Sequence, residues 1–479
     1  MQCGFAFLEA ERFGLLYWRH YLLGGRLRLR VRRHFSSFRR EQFFFSASST
    51  DYDSFHANWF FQFVFAATAS TIVSGAVAER TQFGSYLIYS TIITGFVYPV
   101  VSHWCWSGTG WLTTRTMEYG DQIGFKDFAG SAIVHCTGGI AALMGAIFIG
   151  PRIGKFSEEG NRRVSNDIPG HSVPIASLGA FILFLGFLAF NGGSVLQIVN
   201  DDGSSLDAHG EALAVSVVNT IIGGAAGSIF ALGLNILVAL IKGERYYWSL
   251  LVCINGGLAG MVSMCAACNE LNTGAAFGIG ATAGMTMYWV SDVLLQFGID
   301  DPLDAFAVHY GGGVCGILLS PIFANYGIAA AANCAQQNAF VCDYSAYKQF
   351  TWNLVGLIAI TLWSGIFTGV TFAILYFMDV LRVDKNIEIR GLDIKKHGEP
   401  GYPTAAYGHG WDDEGEDRAR NAGDHGRRGV KSLAGVGFDE NVAPDGLIAL
   451  AIGHRRQNYK NPSFITEETH TSSGQAETK

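Results

Sequence analysis

The sequence predicts an all-α polytopic membrane protein whose two halves form an inverted repeat. Three observations carry that reading. Apolar runs recur along the chain, nine in all, each of the length needed to cross a bilayer, roughly 17–25 residues. The composition is too poor in charge to cover several soluble cores: of 479 residues, 49% are hydrophobic and 15% are charged, against about 25% charged in ordinary globular chains. A short motif carrying a histidine inside an apolar run occurs twice, far apart in the chain.

The runs follow in order. Run 58–78 opens with the aromatic block Phe60-Phe61-Gln62-Phe63-Val64-Phe65. Run 84–106 ends on Trp104 and Trp106, as an interfacial boundary does. Run 127–150 carries the first motif. Run 174–198 holds Phe187, Phe190 and Asn191-Gly192-Gly193-Ser194. Runs 211–241, 248–266 and 274–291 are dense in small residues, as in Gly223-Gly224-Ala225-Ala226-Gly227 and Gly278-Ile279-Gly280-Ala281-Thr282-Ala283-Gly284. Small residues let helix backbones approach closely, which is how helices associate in lipid. Run 303–324 carries the second motif, and 351–380 is the last. The longer connections are 107–126, 151–173 and 325–350. The third holds Cys334 and Cys342, which are either bridged in a small ring or free.

Lysine and arginine in the connections orient the chain. One side holds Arg80, Arg152, Lys155, Arg162, Arg163, Lys242 and Arg245; the other holds Arg115, Lys126 and Lys348. The richer side is read as cytoplasmic, and an odd helix number places the polar tail 381–479 there too, disordered beyond about residue 411. Residues 1–57 form a third segment. Nine arginines lie in it, among them Arg26, Arg28, Arg30, Arg32 and Arg33, and such a density is incompatible with spanning.

The duplicated motif concentrates the chemistry. Asp127 precedes Val134-His135 as Asp301 precedes Val308-His309, and Gly138-Gly139 follows the first histidine as Gly312-Gly313 follows the second. Four runs lie between the copies, so the two histidine-bearing helices run antiparallel and can face each other. Each histidine sits about two turns inside an apolar run, where polar side chains are costly and usually functional, and paired sites near the midplane mark many transporter folds. A neutral imidazole both donates and accepts, so two facing rings form a short proton-sharing line. The alternative is that each ring only locks packing; the repetition argues against it. Aromatic faces near a pore mouth can bind a small cation by cation–π attraction, about 2 kcal/mol when desolvated.

These stretches resemble the ammonium transporter family (Amt/Mep/Rh), on its Amt branch. The resemblance runs through FFQFVFAATASTIVSGAVAERTQF (60–83), YPVVSHWCWSGTGWL (98–112), DFAGSAIVHCTGGIAALMGAIFIGPRIG (127–154), FLGFLAFNGGS (184–194), DDPLDAFAVHYGGGVCG (300–316) and GLDIKKHGEPGY (391–402). It implies an ammonium transporter, with methylammonium as an analogue, in the plasma membrane as a homotrimer with one pore per subunit. It implies that Trp106, Ser194 and Phe65 recruit the ion, supported by the buried Asp127. Phe65 and Phe190 would form the gate, His135 and His309 would line the pore, and 391–402 would contact a neighbouring subunit. Two readings compete: an ammonium-sensing receptor and an Rh-like gas channel, the second disfavoured by Trp106 and Ser194. The family has eleven helices against the nine read here. Residues 1–10 resemble the end of its first helix, and the Arg-rich run 11–41 stands where the second is expected; a truncated or frame-shifted gene model would account for it. Tyr310 is bulkier than expected beside His309.

An enzyme is not expected, since no nucleotide loop or nucleophile constellation occurs. No cofactor is implied. Cys265-Ala-Ala-Cys268 is a lone pair inside an apolar run, without the second ligand pair a structural zinc needs. The apolar, charge-poor composition excludes a nucleic-acid partner; the net charge of −7 says little about partners, because such a chain concentrates its charges in loops and tails.

Overall fold

In the computed structural model the described residues are 55–398, except 114, 117–121, 160–161, 171, 199–206, 326 and 329–344. The Arg-rich segment, the tail beyond 398, and Cys334 and Cys342 lie outside them. Among the described residues, helical segments coincide with all nine runs: α1 (Phe55–Ala76), α2 (Phe83–Trp106), α3 (Ser131–Ile149), α4 (Val173–Gly193), α5 (Asp207–Lys242), α6 (Leu250–Met264), α7 (Thr273–Gln296), α8 (Ala307–Phe323) and α9 (Ser345–Phe377). A short α10 (Lys385–Arg390) follows. Two antiparallel ribbons, β1 (Arg115–Thr116) with β2 (Gln122–Ile123) and β3 (Phe156–Glu159) with β4 (Arg162–Ser165), occupy two of the long connections.

Six of these helices are long and apolar enough to cross a membrane: α1 to α5 and α9. The helix count read from the sequence agrees with this architecture, and the other three helices differ in length or composition. Helix α6 has 15 residues, because run 248–266 breaks into turns at Cys265. The turns free two carbonyls that a helix would consume: Ala266 accepts from Phe128 N–H at 2.9 Å and Cys265 from Ala129 N–H at 2.7 Å. Helix α8 is also short, and α7 is long but dilutes its apolar residues with glycine, alanine and threonine.

Local chemistry sets the helix starts. Ser249 accepts from Val252 N–H at 3.3 Å and Asn272 from Ala275 N–H at 2.9 Å, each satisfying one orphan donor of a first turn. Glycine sets the packing of α5, α6 and α7. A methyl group on Gly260 or Gly280 would strike the Gly223 carbonyl, and one on Gly284 the Gly227 carbonyl.

One end of the bundle is tied by buried ions. Arg80 is 0% exposed. It donates to the carbonyls of Gly150 (2.8 Å), Ala78 (3.0 Å) and Asp300 (2.8 Å), and burial pushes its guanidinium down to about 10. Arg152 grips the Asp300 carboxylate through Nε (2.9 Å) and Nη2 (3.1 Å) and reaches Glu79 at 2.7 Å. Arg382 pairs with Glu388 and donates to the Ile149 carbonyl at 2.9 Å. Arg80 and Arg152, counted as loop charges in the orientation argument, thus clamp the α1–α2 connection, the end of α3 and the α7–α8 connection.

Candidate functional site

The site grows from the start of α3. Asp127 precedes it, and Gly130 turns the chain with φ +95°, a conformation glycine adopts without strain. Both carboxylate oxygens then face the first turn. Oδ1 accepts from Gly130 N–H (3.0 Å) and Ser131 N–H (2.7 Å), and Oδ2 from Ala132 N–H (2.8 Å) and Ile133 N–H (3.0 Å). Four donors that a helix leaves orphaned are satisfied by one side chain. The Asp127 carbonyl in turn accepts from Trp106 Nε1 at 2.8 Å, fixing that indole at the end of α2.

Aromatic rings continue the line. The Trp106 indole stands edge-on to Phe65, centroids 5.9 Å apart and planes at 70°. Phe65 of α1 stacks on Phe190 of α4 at 4.0 Å and 11°. Phe190 contacts His135 at 5.6 Å, and His135 lies parallel to His309 at 5.2 Å and 10°. The two Nδ1 atoms are 3.1 Å apart. The structure therefore brings Trp106, Phe65, Phe190, His135 and His309 into one contiguous row. Ser194 closes α4 one turn after Phe190, to whose carbonyl its hydroxyl donates at 2.8 Å; this bond lies within its own helix and does not join the hydroxyl to the ring row. Asp127 touches the row through its backbone and supports it from behind.

Three features of the site were not read from the sequence. Both histidines sit in π-helical turns, Ser131–Cys136 and Ala307–Gly311. Such bulges recur at functional sites. Phe187 stacks on His135 at 5.6 Å and 24°; its place one turn before Phe190 was the available signal. Tyr310 turns toward α9, where its hydroxyl lies 3.1 Å from Thr361 Oγ1. The bulk of Tyr310, larger than expected beside His309, is directed into packing against α9.

The second acid of the repeat differs from the first. Asp301 accepts from Phe306 N–H at 2.7 Å, while Asp304 takes Ser291 Oγ (2.6 Å) and Asn255 Nδ2 (2.9 Å). On the histidine pair, each neutral ring has one donor and one acceptor. If one Nδ1–H donates to the other Nδ1, one Nε2 is left an acceptor and the other a donor. His135 Nε2 is buried with no hydrogen-bond partner among the described residues.

The sequence pattern of the Ammonium Transporter Family matches residues 8–402. This chain belongs to that family. A Caenorhabditis elegans protein carrying an ammonium-transporter name is 43% identical over 376 residues, 78% of this chain and 67% of its own length. Ammonium transporter 1 member 3 of Solanum lycopersicum is 33% identical over 75% of this chain and 76% of its own. Among solved structures, one titled Sensor Amt Protein matches with TM-score 0.61 and 28% identity, over 82% of this chain and 96% of that one. Saccharomyces cerevisiae Mep2, at 24% identity and TM-score 0.53 over 70% and 68%, shares the fold. As a member of this family with apolar spanning helices, the chain is an integral membrane protein of a transporter family.

Proposed function

We propose that the chain conducts ammonium across a membrane, as ammonia plus a proton or as net ammonium, through a pore lined by His135 and His309. The observation that carries the reading is the 3.1 Å contact between two imidazoles, contributed by the two copies of an inverted repeat and lying directly under stacked phenyl rings. A structural pair of histidines would not need an aromatic row leading to it.

Each group has a task that follows from its chemistry. Taking ammonium out of water costs several kcal/mol or more. Trp106 and Phe65 faces, with the Ser194 hydroxyl, replace part of its hydration shell at the outer mouth. The Phe65–Phe190 stack blocks the path and must part for each passage. Below it, the acceptor Nε2 of one histidine takes a proton from ammonium, giving imidazolium and ammonia; the Nε2–H of the other ring faces the ammonia lone pair, and the imidazole pair relays the proton on to rejoin the ammonia beyond the apolar stretch. Potassium has no proton to give and is excluded by its dehydration cost. Asp127 holds Trp106 and the start of α3; it is not placed to act as a base.

The same reading makes the protein a homotrimer in the plasma membrane. Residues 58–380 form its transport domain, the tail from 381 is cytoplasmic, and segment 391–402 meets a neighbouring subunit. A sensing role is the second reading, favoured by the match to the solved Sensor Amt Protein. Uptake of labelled methylammonium by yeast lacking its own ammonium transporters separates them. Uptake carried by the protein is expected to be lost when His135 and His309 are both replaced by alanine. Membrane-inserted protein that takes up nothing, or uptake unaffected by the double replacement, would overturn the proposal.

A further inference from the structure

We infer that Tyr310 is a positioning residue: its hydrogen bond to Thr361 fixes the π-turn that aims His309 at His135. The inference rests on the transport reading above and adds a residue to it.

Tyr310 follows His309 within the turn Ala307–Gly311 and makes contacts in three directions. Its hydroxyl is 3.1 Å from Thr361 Oγ1, and Thr361 already donates to the Leu357 carbonyl at 2.7 Å, so Tyr310 is the donor in that pair. Its ring stacks on Phe306 at 4.8 Å and 12°, spanning the turn from its first side to its last. Its backbone meets the other half of the repeat. The Cys136 thiol lies 3.9 Å from the Tyr310 carbonyl, and a methyl group on Gly139 would strike the Tyr310 N and Cβ. One residue therefore links the His309 turn, the His135 helix and α9.

A π-turn has poorer internal support than an α-turn, because the inserted residue disrupts the regular ladder. External anchors decide where it settles. Without the anchor on α9, small displacements of the turn lengthen the single Nδ1–Nδ1 contact, while Trp106, Phe65 and Phe190 stay held by α1, α2 and α4. The maximal rate should change and the outer recruitment step should not.

Tyr310→Phe keeps the ring and removes the donor. Full-length protein, reconstituted in liposomes and normalised by protein amount, should lose about fivefold in maximal methylammonium flux, the rate equivalent of a hydrogen bond of about 1 kcal/mol. Its half-saturation concentration should be unchanged. Thr361→Val should do the same, Thr361→Ser should keep the wild-type rate, and the Tyr310→Phe, Thr361→Val double variant should lose no more than either single. Wild-type flux in Tyr310→Phe, additive losses, or equal changes in flux and half-saturation would overturn the inference. Structures of wild type and Tyr310→Phe by electron microscopy should show the histidine Nδ1 atoms further apart in the variant. This arm stands even if wild type carries no flux, the result that defeats the transport reading, and an unchanged separation counts against Tyr310 alone.

Discussion

Replacing Asp127 by asparagine should damage both the fold and the outer mouth of the candidate pore. The wild-type carboxylate accepts four backbone N–H bonds between 2.7 and 3.0 Å, two on each oxygen. The asparagine amide offers one oxygen and one NH2 group. Two N–H groups, those of Ala132 and Ile133 or those of Gly130 and Ser131, would then face a donor. Charge-assisted bonds contribute about 1.5–3 kcal/mol each, so losing two costs about 3–6 kcal/mol. The start of α3 should retreat, carrying the Asp127 carbonyl away from Trp106 Nε1. The assay is thermal denaturation in detergent, followed by size-exclusion of the surviving fraction, alongside the concentration dependence of methylammonium uptake. A lowered midpoint and a raised half-saturation concentration are expected together. A midpoint within ~1 °C of wild type with unaltered uptake would show that the cap does not hold Trp106, and the account of Asp127 would fail.

Three further outcomes are expected. Trp106→Leu removes the aromatic face proposed to bind the cation, worth up to about 2 kcal/mol, and should raise the half-saturation concentration for uptake while leaving the maximal rate nearly intact; a lost maximal rate with unchanged half-saturation would contradict the recruitment role. Gly280→Val pushes a branched side chain into the Gly223 carbonyl and should sharply reduce the folded yield, measured by monodisperse protein after extraction, whereas Gly278→Ala, with open space around it, should not. Acid should weaken the Arg152–Asp300 clamp: burial alone would raise the Asp300 carboxyl, but the hydrogen bonds from Arg152 outweigh it and hold it below the usual carboxylate range. With a folded value below the unfolded one, its stabilisation is full above the ordinary value of about 4 and is lost as pH falls through the folded value. The difference in thermal midpoint between wild type and Asp300→Asn should be constant above about pH 5 and shrink below about 4.

The apolar runs made the helices legible, because a chain in lipid must satisfy its backbone within helices and shows this as unbroken hydrophobic length. The histidine repeat was equally visible, since a fixed spacing in two copies is a one-dimensional signal. What stayed hidden depends on three-dimensional register. An α-turn and a π-turn differ by one inserted residue in the ladder, and nothing in Ser-Ala-Ile-Val-His-Cys or Ala-Val-His-Tyr-Gly distinguishes them locally. Run 248–266 looked like one full crossing, yet its last residues form turns that receive Phe128 and Ala129 from a segment more than a hundred residues earlier. Arg80 read as a loop charge because its partners are carbonyls of Gly150 and Asp300, which no pattern in the sequence ties to it.

The repeat also shows how two copies of one motif diverge in use. Both place a histidine eight residues after an aspartate, in a π-turn, with two glycines following. The glycines are required on both sides: a methyl on Gly139 would strike Tyr310, and one on Gly313 would strike Cys136 and the Ser131 carbonyl. These contacts cross between the copies, so close backbone approach is what brings the rings to 3.1 Å. The aspartates have parted. Asp127 spends both oxygens on its own helix start and leaves its carbonyl to hold Trp106, while Asp304, not Asp301, binds the side chains of Asn255 and Ser291 on α6 and α7. An aromatic row therefore leads to the histidines from the Asp127 side, through Trp106, Phe65 and Phe190. The symmetry supplies the paired rings, and the broken symmetry around the two acids gives one end of the row its aromatic face.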